Sequence, residues 1–203
     1  MGKSQIIKRI HNAAKNYKQH FVGNTFMFVY EGRYVEVIFK KNCFLHLTGV
    51  NTNLRADDFY KHSLVPKQLR PQEVFFDAKH PYDLADKKTS YLADLYKITI
   101  TDVVIADNIA TMTFTYGIGI TNLEFVICLG DDTDLAGNLI SSCKVPYSFR
   151  VEEIDNAKFS NLYEVTHVFK KKTGERKYSE LTFGNEDTIK MLPQDIRDVL
   201  DIS

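Results

Sequence analysis

A histidine two residues from a threonine, inside an otherwise apolar run, is the arrangement in this chain that most suggests chemistry. Asn42-Cys43-Phe44-Leu45-His46-Leu47-Thr48-Gly49-Val50 follows a strand-like segment ending at Phe39. Its alternation predicts a strand with Cys43, Leu45 and Leu47 on one face and Phe44, His46 and Thr48 on the other. On that geometry His46 and Thr48 stand roughly 7 Å apart. An imidazole beside a hydroxyl is a starting point for acid/base work, whereas a histidine in an apolar strand is more often a hydrogen-bonded core residue. The pattern leaves both readings open. Gly49 ends the run and permits a sharp turn or a close backbone approach.

Other candidate groups are less specific. In Leu162–Phe169, alternation groups His167 with Tyr163, Val165 and Phe169, and Thr166 with Glu164 and Lys170. Asp131-Asp132-Thr133-Asp134 is a carboxylate cluster without the glycine and distal glutamate of a calcium loop, so it reads as a solvated turn. His11, His20, His62 and His80 have no ligand-type spacing and no evident chemical company. The chain carries no Gly-rich phosphate loop, dinucleotide fingerprint or Gly-x-Ser-x-Gly elbow. No metal and no cofactor is therefore expected.

The elements that must position these groups follow from periodicity. Ile6, Ile10, Ala13, Ala14, Tyr17 and Phe21 recur at helical spacing opposite Lys8, Lys15 and Lys18, predicting an amphipathic helix over 4–20. Residues 25–30 and 34–40 flank Glu31-Gly32-Arg33 as a β-hairpin. Asn53 is placed to cap a helix through 54–64, and a further helix is expected over 82–96. Strands are predicted at 98–105, 110–118 and 123–129, and a second hairpin from 162–170 and 176–183 around Lys172-Thr173-Gly174-Glu175. A helical tail over 187–200 is interrupted by Pro193. The economical reading is one α+β domain spanning 1–203, a mainly antiparallel sheet over a core of 25–183 with helices packed beside it.

Composition narrows the function classes. The 203 residues are enough for a sizeable core, and 44% hydrophobic with 26% charged residues is ordinary for a globular protein. No segment is long and apolar enough to span a membrane, and the N-terminus lacks a signal core, so a cytoplasmic, membrane-free protein is expected. Cys43, Cys128 and Cys143 read as buried thiols. Net charge is zero, which argues against non-specific nucleic-acid binding over the whole surface. The charge is nonetheless uneven. Residues 1–20 hold five Lys/Arg and no acid, whereas 99–143 hold six acids and no Lys/Arg.

Phe44-Leu45-His46-Leu47-Thr48-Gly49, followed by Arg55-Ala56-Asp57-Asp58-Phe59-Tyr60, resembles the opening of the phage-associated Barnase–EndoU–Colicin–RelE-like (BECR) nucleases. Leu135-Ala136-Gly137-Asn138, Pro146-Tyr147-Ser148-Phe149 and the Tyr163–Tyr178 hairpin with Lys170-Lys171 are similar to that group's later region at a looser level. The resemblance implies a compact sheet with flanking helices that cleaves RNA, tRNA among the candidates, without metal and through the ribose 2′-hydroxyl. It makes His46 the base or acid, Thr48 a donor to phosphate and Lys171 or Lys170 the phosphate-holding cation. Tyr60 and Tyr178 would stack a base, and Arg55 and Asn138 lie in the matched segments as substrate-binding candidates. The missing acid/base partner of His46 is expected from the Tyr163–Tyr178 hairpin.

A second function class stays open at this level. A non-catalytic, anti-CRISPR-like inhibitor from a mobile element would bind a host defence protein through the acids of 102–134, gathered on one exposed face. A toxin held by an antitoxin would alter the context and not the chemistry. The sequence names no oligomeric state.

Overall fold

The amphipathic pattern at the N-terminus forms helix α1 (Lys3–His20), whose Ile6, Ile10, Ala13, Ala14 and Tyr17 are buried while Lys8, Lys15 and Lys18 face solvent. The computed structural model describes residues 2–110, 115–151 and 159–202. After α1 comes the expected hairpin of β1 (Asn24–Tyr30) and β2 (Arg33–Ile38). Its turn residues Glu31 and Gly32 have φ of 46° and 69°, the double left-handed geometry that suits the strand twist. Then follow α2 (Phe44–Thr48), α3 (Ala56–Leu64) and α4 (Tyr82–Leu92). The second half supplies β3 (Val104–Ala110), β4 (Thr115–Thr121), β5 (Val126–Thr133), β6 (Leu139–Arg150), β7 (Asn161–Glu164), β8 (His167–Lys172) and β9 (Glu180–Phe183). A 3-10 turn over Glu186–Met191 and the short α5 (Gln194–Arg197) close the chain.

Among the described residues the strands form one sheet in the order β7-β3-β4-β5-β6-β2-β1-β8-β9. All neighbours are antiparallel except β2 and β6, which join in parallel through the Val37–Lys144 pair. The architecture is the expected α+β type. β1 is buried on both faces, and its alternation divides it between two cores. Phe26 and Phe28 meet the helices α1 to α4, whereas Met27 and Val29 join Phe169, Tyr178 and Ile196 beneath the C-terminal segment.

Several local expectations change. The segment at 42–50 is not a strand: a 3-10 turn over Lys41–Cys43 runs into α2, and Gly49 terminates it with a left-handed φ of 75°. Phe44, Leu47 and Thr48 stand at i, i+3 and i+4, so helical winding buries all three together, which extension would not. The run at 98–105 begins instead as a 3-10 turn over Leu95–Thr99, because the Thr99 and Thr101 hydroxyls donate back to the Tyr96 and Lys97 carbonyls at 2.9 Å. Of the strand expected at 110–118, residues 111–114 lie outside the described residues. Asn53 does not cap α3, whose N-cap position is Arg55 without a side-chain bond. The tail is a 3-10 turn and one helical turn, divided at Pro193, and not a continuous helix.

The run at 162–170 splits at Val165-Thr166. Val165 N–H donates to Val103 O at 3.1 Å, and Thr166 N–H donates to Val29 O at 2.9 Å. The half before this point pairs with β3 and the half after it with β1, so the sheet curls enough for two residues to link strands near its opposite ends. The three cysteines are free and buried, as expected. No described helix is long and apolar enough to cross a membrane.

Phe44 is the side chain that ties α2 to this framework. It is fully buried and packs edge-on against Tyr17 and Tyr60 with ring centroids 5.1 and 5.4 Å away. Phe44→Ala is expected to cost about 3–5 kcal/mol, measured by urea denaturation. A loss below about 1 kcal/mol would show that α2 can repack without its anchor.

Candidate active site

Burial of Phe44, Leu47 and Thr48 turns the remaining face of α2 outward, and His46 is exposed on it. His46 lies where two grooves meet. One groove, of about 420 Å³, also contains His80, Lys79, Lys88, Ser148 and Arg150, and its lining includes no Asp or Glu among the described residues. The other, of about 340 Å³, runs past Asn42, Cys43, Asp131, Ile140 and Pro146. Tyr147 lines both.

Each group in the cationic groove is placed by an identifiable local cause. Lys88 comes from α4, beside the buried Ala85. It reaches the site because Gly49 has no side chain: a Cβ there would stand 2.8 Å from Lys88 Cδ and 3.4 Å from Ala85 Cα. His80 sits on a tight turn built around Asp77. The Asp77 carboxylate accepts from the backbone N–H groups of Lys79 and His80, both at 2.8 Å, and from Asn51 Nδ2 at 2.7 Å. His80 Nδ1 faces the same carboxylate at 3.2 Å. These donors, led by the Asn51 amide and the His80 backbone, hold the Asp77 carboxyl down to about 2. An imidazole held at Nδ1 by a carboxylate has its Nε2 as the remaining working nitrogen.

Ser148 and Arg150 come from β6, where the pairing with β5 slips. Cys128 faces Ser148, but Leu129 faces Pro146, so Tyr147 is an extra residue in β6. Such a bulge re-aims side chains, and Pro146 beside it has no N–H for the ladder to lose. Although His46 reaches the surface, the crowding of the groove around it partly desolvates the imidazole, and this, with the Lys88 ammonium and His80, pushes it below its usual range. It is therefore neutral near pH 7, with a lone pair available. The groove combines a neutral imidazole, a second imidazole oriented by a carboxylate, and Lys or Arg side chains suited to an anion.

The other candidates named from the sequence lie elsewhere. Thr48 is fully buried; its hydroxyl donates to Leu45 O at 2.7 Å and accepts from Val50 N–H, closing α2. Tyr60 is 2% exposed within the aromatic core, not on a surface where a base could stack. Lys171 and Tyr178 both bind Glu36 Oε1, at 3.2 and 2.5 Å, and the Lys171 ammonium lies 4.3 Å from the Tyr178 ring centre. Lys170 pairs with Glu180 at 2.6 Å. None of these residues lines the grooves at His46, so the Tyr163–Tyr178 hairpin does not supply the partner expected from it. Arg55 is exposed next to Ala56, which borders the second groove. Asn138 is a turn residue held by Asp134 at the tip between β5 and β6.

Asp131 and Asp132 do not form a bare acidic patch. Lys144 binds Asp131 at 2.5 Å, and Asp132 is buried against Lys40 and Ser141. Among the described residues, no group of three or more His, Cys, Asp or Glu side chains is placed to hold a metal ion. His80, Lys88 and Arg150 are not among the residues expected at the site from the sequence. A signal existed in Asp77-Ala78-Lys79-His80, where an Asx-type turn could be expected to orient a histidine. Nothing in the local sequence singles out Lys88.

Residues 9–187 match the family described as phage-Barnase-EndoU-ColicinE5/D-RelE like nuclease4. Neither the curated proteins nor the solved structures gave a match.

Gly49 offers a direct test of how the groove is set. Gly49→Ala combines a left-handed backbone with a clash on Lys88 and is expected to lower stability by about 1–2 kcal/mol. By displacing Lys88 it should also raise the His46 pKa back toward 6.5 in an NMR titration. An unmoved His46 titration would show that Lys88 does not act on it.

Proposed function

Because the chain belongs to the phage-Barnase-EndoU-ColicinE5/D-RelE like nuclease4 family, we propose that it is an endoribonuclease cutting RNA by attack of the ribose 2′-hydroxyl. The observation that carries this reading is the groove that brings two histidines together with Lys79, Lys88 and Arg150. Neutral His46 takes the proton from the 2′-hydroxyl, and the oxygen attacks the adjacent phosphorus. Lys88 and Arg150 offset the charge that develops on the phosphoryl oxygens. His80, oriented by Asp77, serves as the general acid and gives a proton to the departing 5′-oxygen. The products are a 2′,3′-cyclic phosphate and a 5′-hydroxyl, so atoms and charge balance without a metal. This assignment keeps His46 and replaces the hairpin lysines with Lys88 and Arg150. A tRNA target, a phage or mobile-element origin and a toxin role are compatible extensions of the same reading.

The inhibitor alternative needs the acids of 102–134 on one exposed face. Asp132 is only 3% exposed and Asp131 is neutralised by Lys144, so the arrangement does not favour it.

Incubation of the purified protein with total RNA in EDTA is expected to yield 2′,3′-cyclic ends. Ends carrying a 5′-phosphate, or loss of cleavage in EDTA, would contradict the proposal. His46→Ala and His80→Ala should each slow cleavage by about 10²- to 10⁴-fold with little change in melting temperature. Unfolding of His46→Ala would instead make His46 structural.

The pH profile is a separate check. The folded His46 pKa lies below its ordinary 6.5, so the active neutral form persists as pH falls through 6.5 and is lost only at lower pH. The acid limb of kcat/KM should therefore have its midpoint below 6.5. Lys88→Gln should move that midpoint upward while also weakening substrate binding. An acid limb that stays fixed in this variant would remove Lys88 from the site.

A further inference from the structure

The bulge in β6 has produced an exposed tyrosine that the proposed chemistry does not use. Tyr147 is 61% exposed, and its ring lies directly over Gly130, where a Cβ would stand 2.8 Å from the ring carbon Cδ2. Tyr116 on β4 faces it with ring centres 6.5 Å apart and planes inclined at 54°. Between and beyond these rings a groove of about 580 Å³ crosses β4, β5 and β6. Its floor is formed by Gly117, Gly130, Ile118 and Leu129, and the Asp131–Lys144 pair borders it. A Cβ at Gly117 would meet nothing within 4 Å, so the floor there is open. Tyr116 and Tyr147 also line the cationic groove, which makes the two grooves continuous.

A cationic trough running into a flat, glycine-floored recess with two tyrosine walls matches the two parts of a nucleotide. Phosphate is held by charge, and a base is held by its π-face on an aromatic ring. We infer that the Tyr116–Tyr147 recess is a nucleobase-stacking subsite for single-stranded RNA, holding the base next to the phosphate gripped by Lys88 and Arg150. This rests on the ribonuclease reading above, and it identifies the substrate as an unpaired strand, since a base within a duplex cannot present its face to Tyr147. Gly130 is then a positioning residue, needed so that the Tyr147 ring can lie against the sheet.

The test is equilibrium binding, by fluorescence anisotropy, of a labelled 2′-O-methyl hexanucleotide and of the same backbone with abasic sites. The 2′-O-methyl groups block the attacking hydroxyl, so binding is measured whether or not the protein cleaves RNA. The intact strand is expected to bind roughly five- to 150-fold tighter than the abasic strand. Tyr147→Ala and Gly130→Ala should erase that preference and Tyr147→Phe should keep it, each variant retaining the parent melting temperature. Equal binding of the two strands by the parent protein would overturn the proposal. So would a preference that survives in Tyr147→Ala. Failure to cut unmodified RNA, with the stacking preference intact, would instead sink the cleavage reading alone.

Discussion

The Tyr17 ring is the contact on which the placement of the site depends. It meets Phe21, Phe39, Phe44 and Tyr60 edge-on at centroid distances of 5.3, 6.1, 5.1 and 5.9 Å. Its hydroxyl donates to Lys40 O at 2.9 Å, so this ring's polar atom is satisfied within the cluster. Through that ring, α1, the end of the β1–β2 hairpin, α2 and α3 share one buried junction. A five-residue helix such as α2 has no stability of its own. It persists because Phe44 and Leu47 are held in this junction and because Gly49 allows α4 to close over its end. The exposure of His46 is a consequence of which residues of α2 the junction buries.

Much of the frame is legible from local pattern. The buried stripe of α1 and the turn at Glu31-Gly32 are both consequences of periodicity and backbone preference. The α2 segment reads as a strand because the aromatic and β-branched residues from Phe44 to Thr48 fit two periods at once. Extension buries every second residue, and winding buries Phe44, Leu47 and Thr48. Only the junction with Tyr17 and Tyr60, distant in sequence, decides between them. The run at 162–170 poses the same difficulty in another form. Its alternation is sound, but no local signal shows a strand that changes partners at Val165-Thr166.

The site is legible only at His46. Thr48, Tyr60 and Tyr178 are residue types that suit catalysis or stacking, yet each has its polar or aromatic group committed to the interior. Lys88 and Arg150 look like ordinary charges in the sequence, because what distinguishes them is the company given by α4, a left-handed glycine and a bulged strand. The bulge itself depends on the pairing of β5 with β6, which neither strand reveals alone.

A chain of zero net charge can still hold a polyanion, because net charge does not fix where the potential lies. Here acids and bases are matched pair by pair away from the groove: Arg9 with Asp86, Lys40 with Asp132, Lys144 with Asp131, Lys170 with Glu180 and Lys171 with Glu36. Those pairs reduce the long-range field in both directions, and at physiological salt little of it extends beyond roughly 8 Å. What remains effective is short-range. Within the groove the low dielectric of the half-buried walls strengthens the interactions of Lys88 and Arg150 with whatever lies beside them. On the proposed reading, such a surface would attract a nucleic acid weakly from a distance and select it on contact. That would favour discrimination by the shape of the bound strand over affinity from charge alone, and the recess proposed for stacking, beside the cationic groove, would supply it.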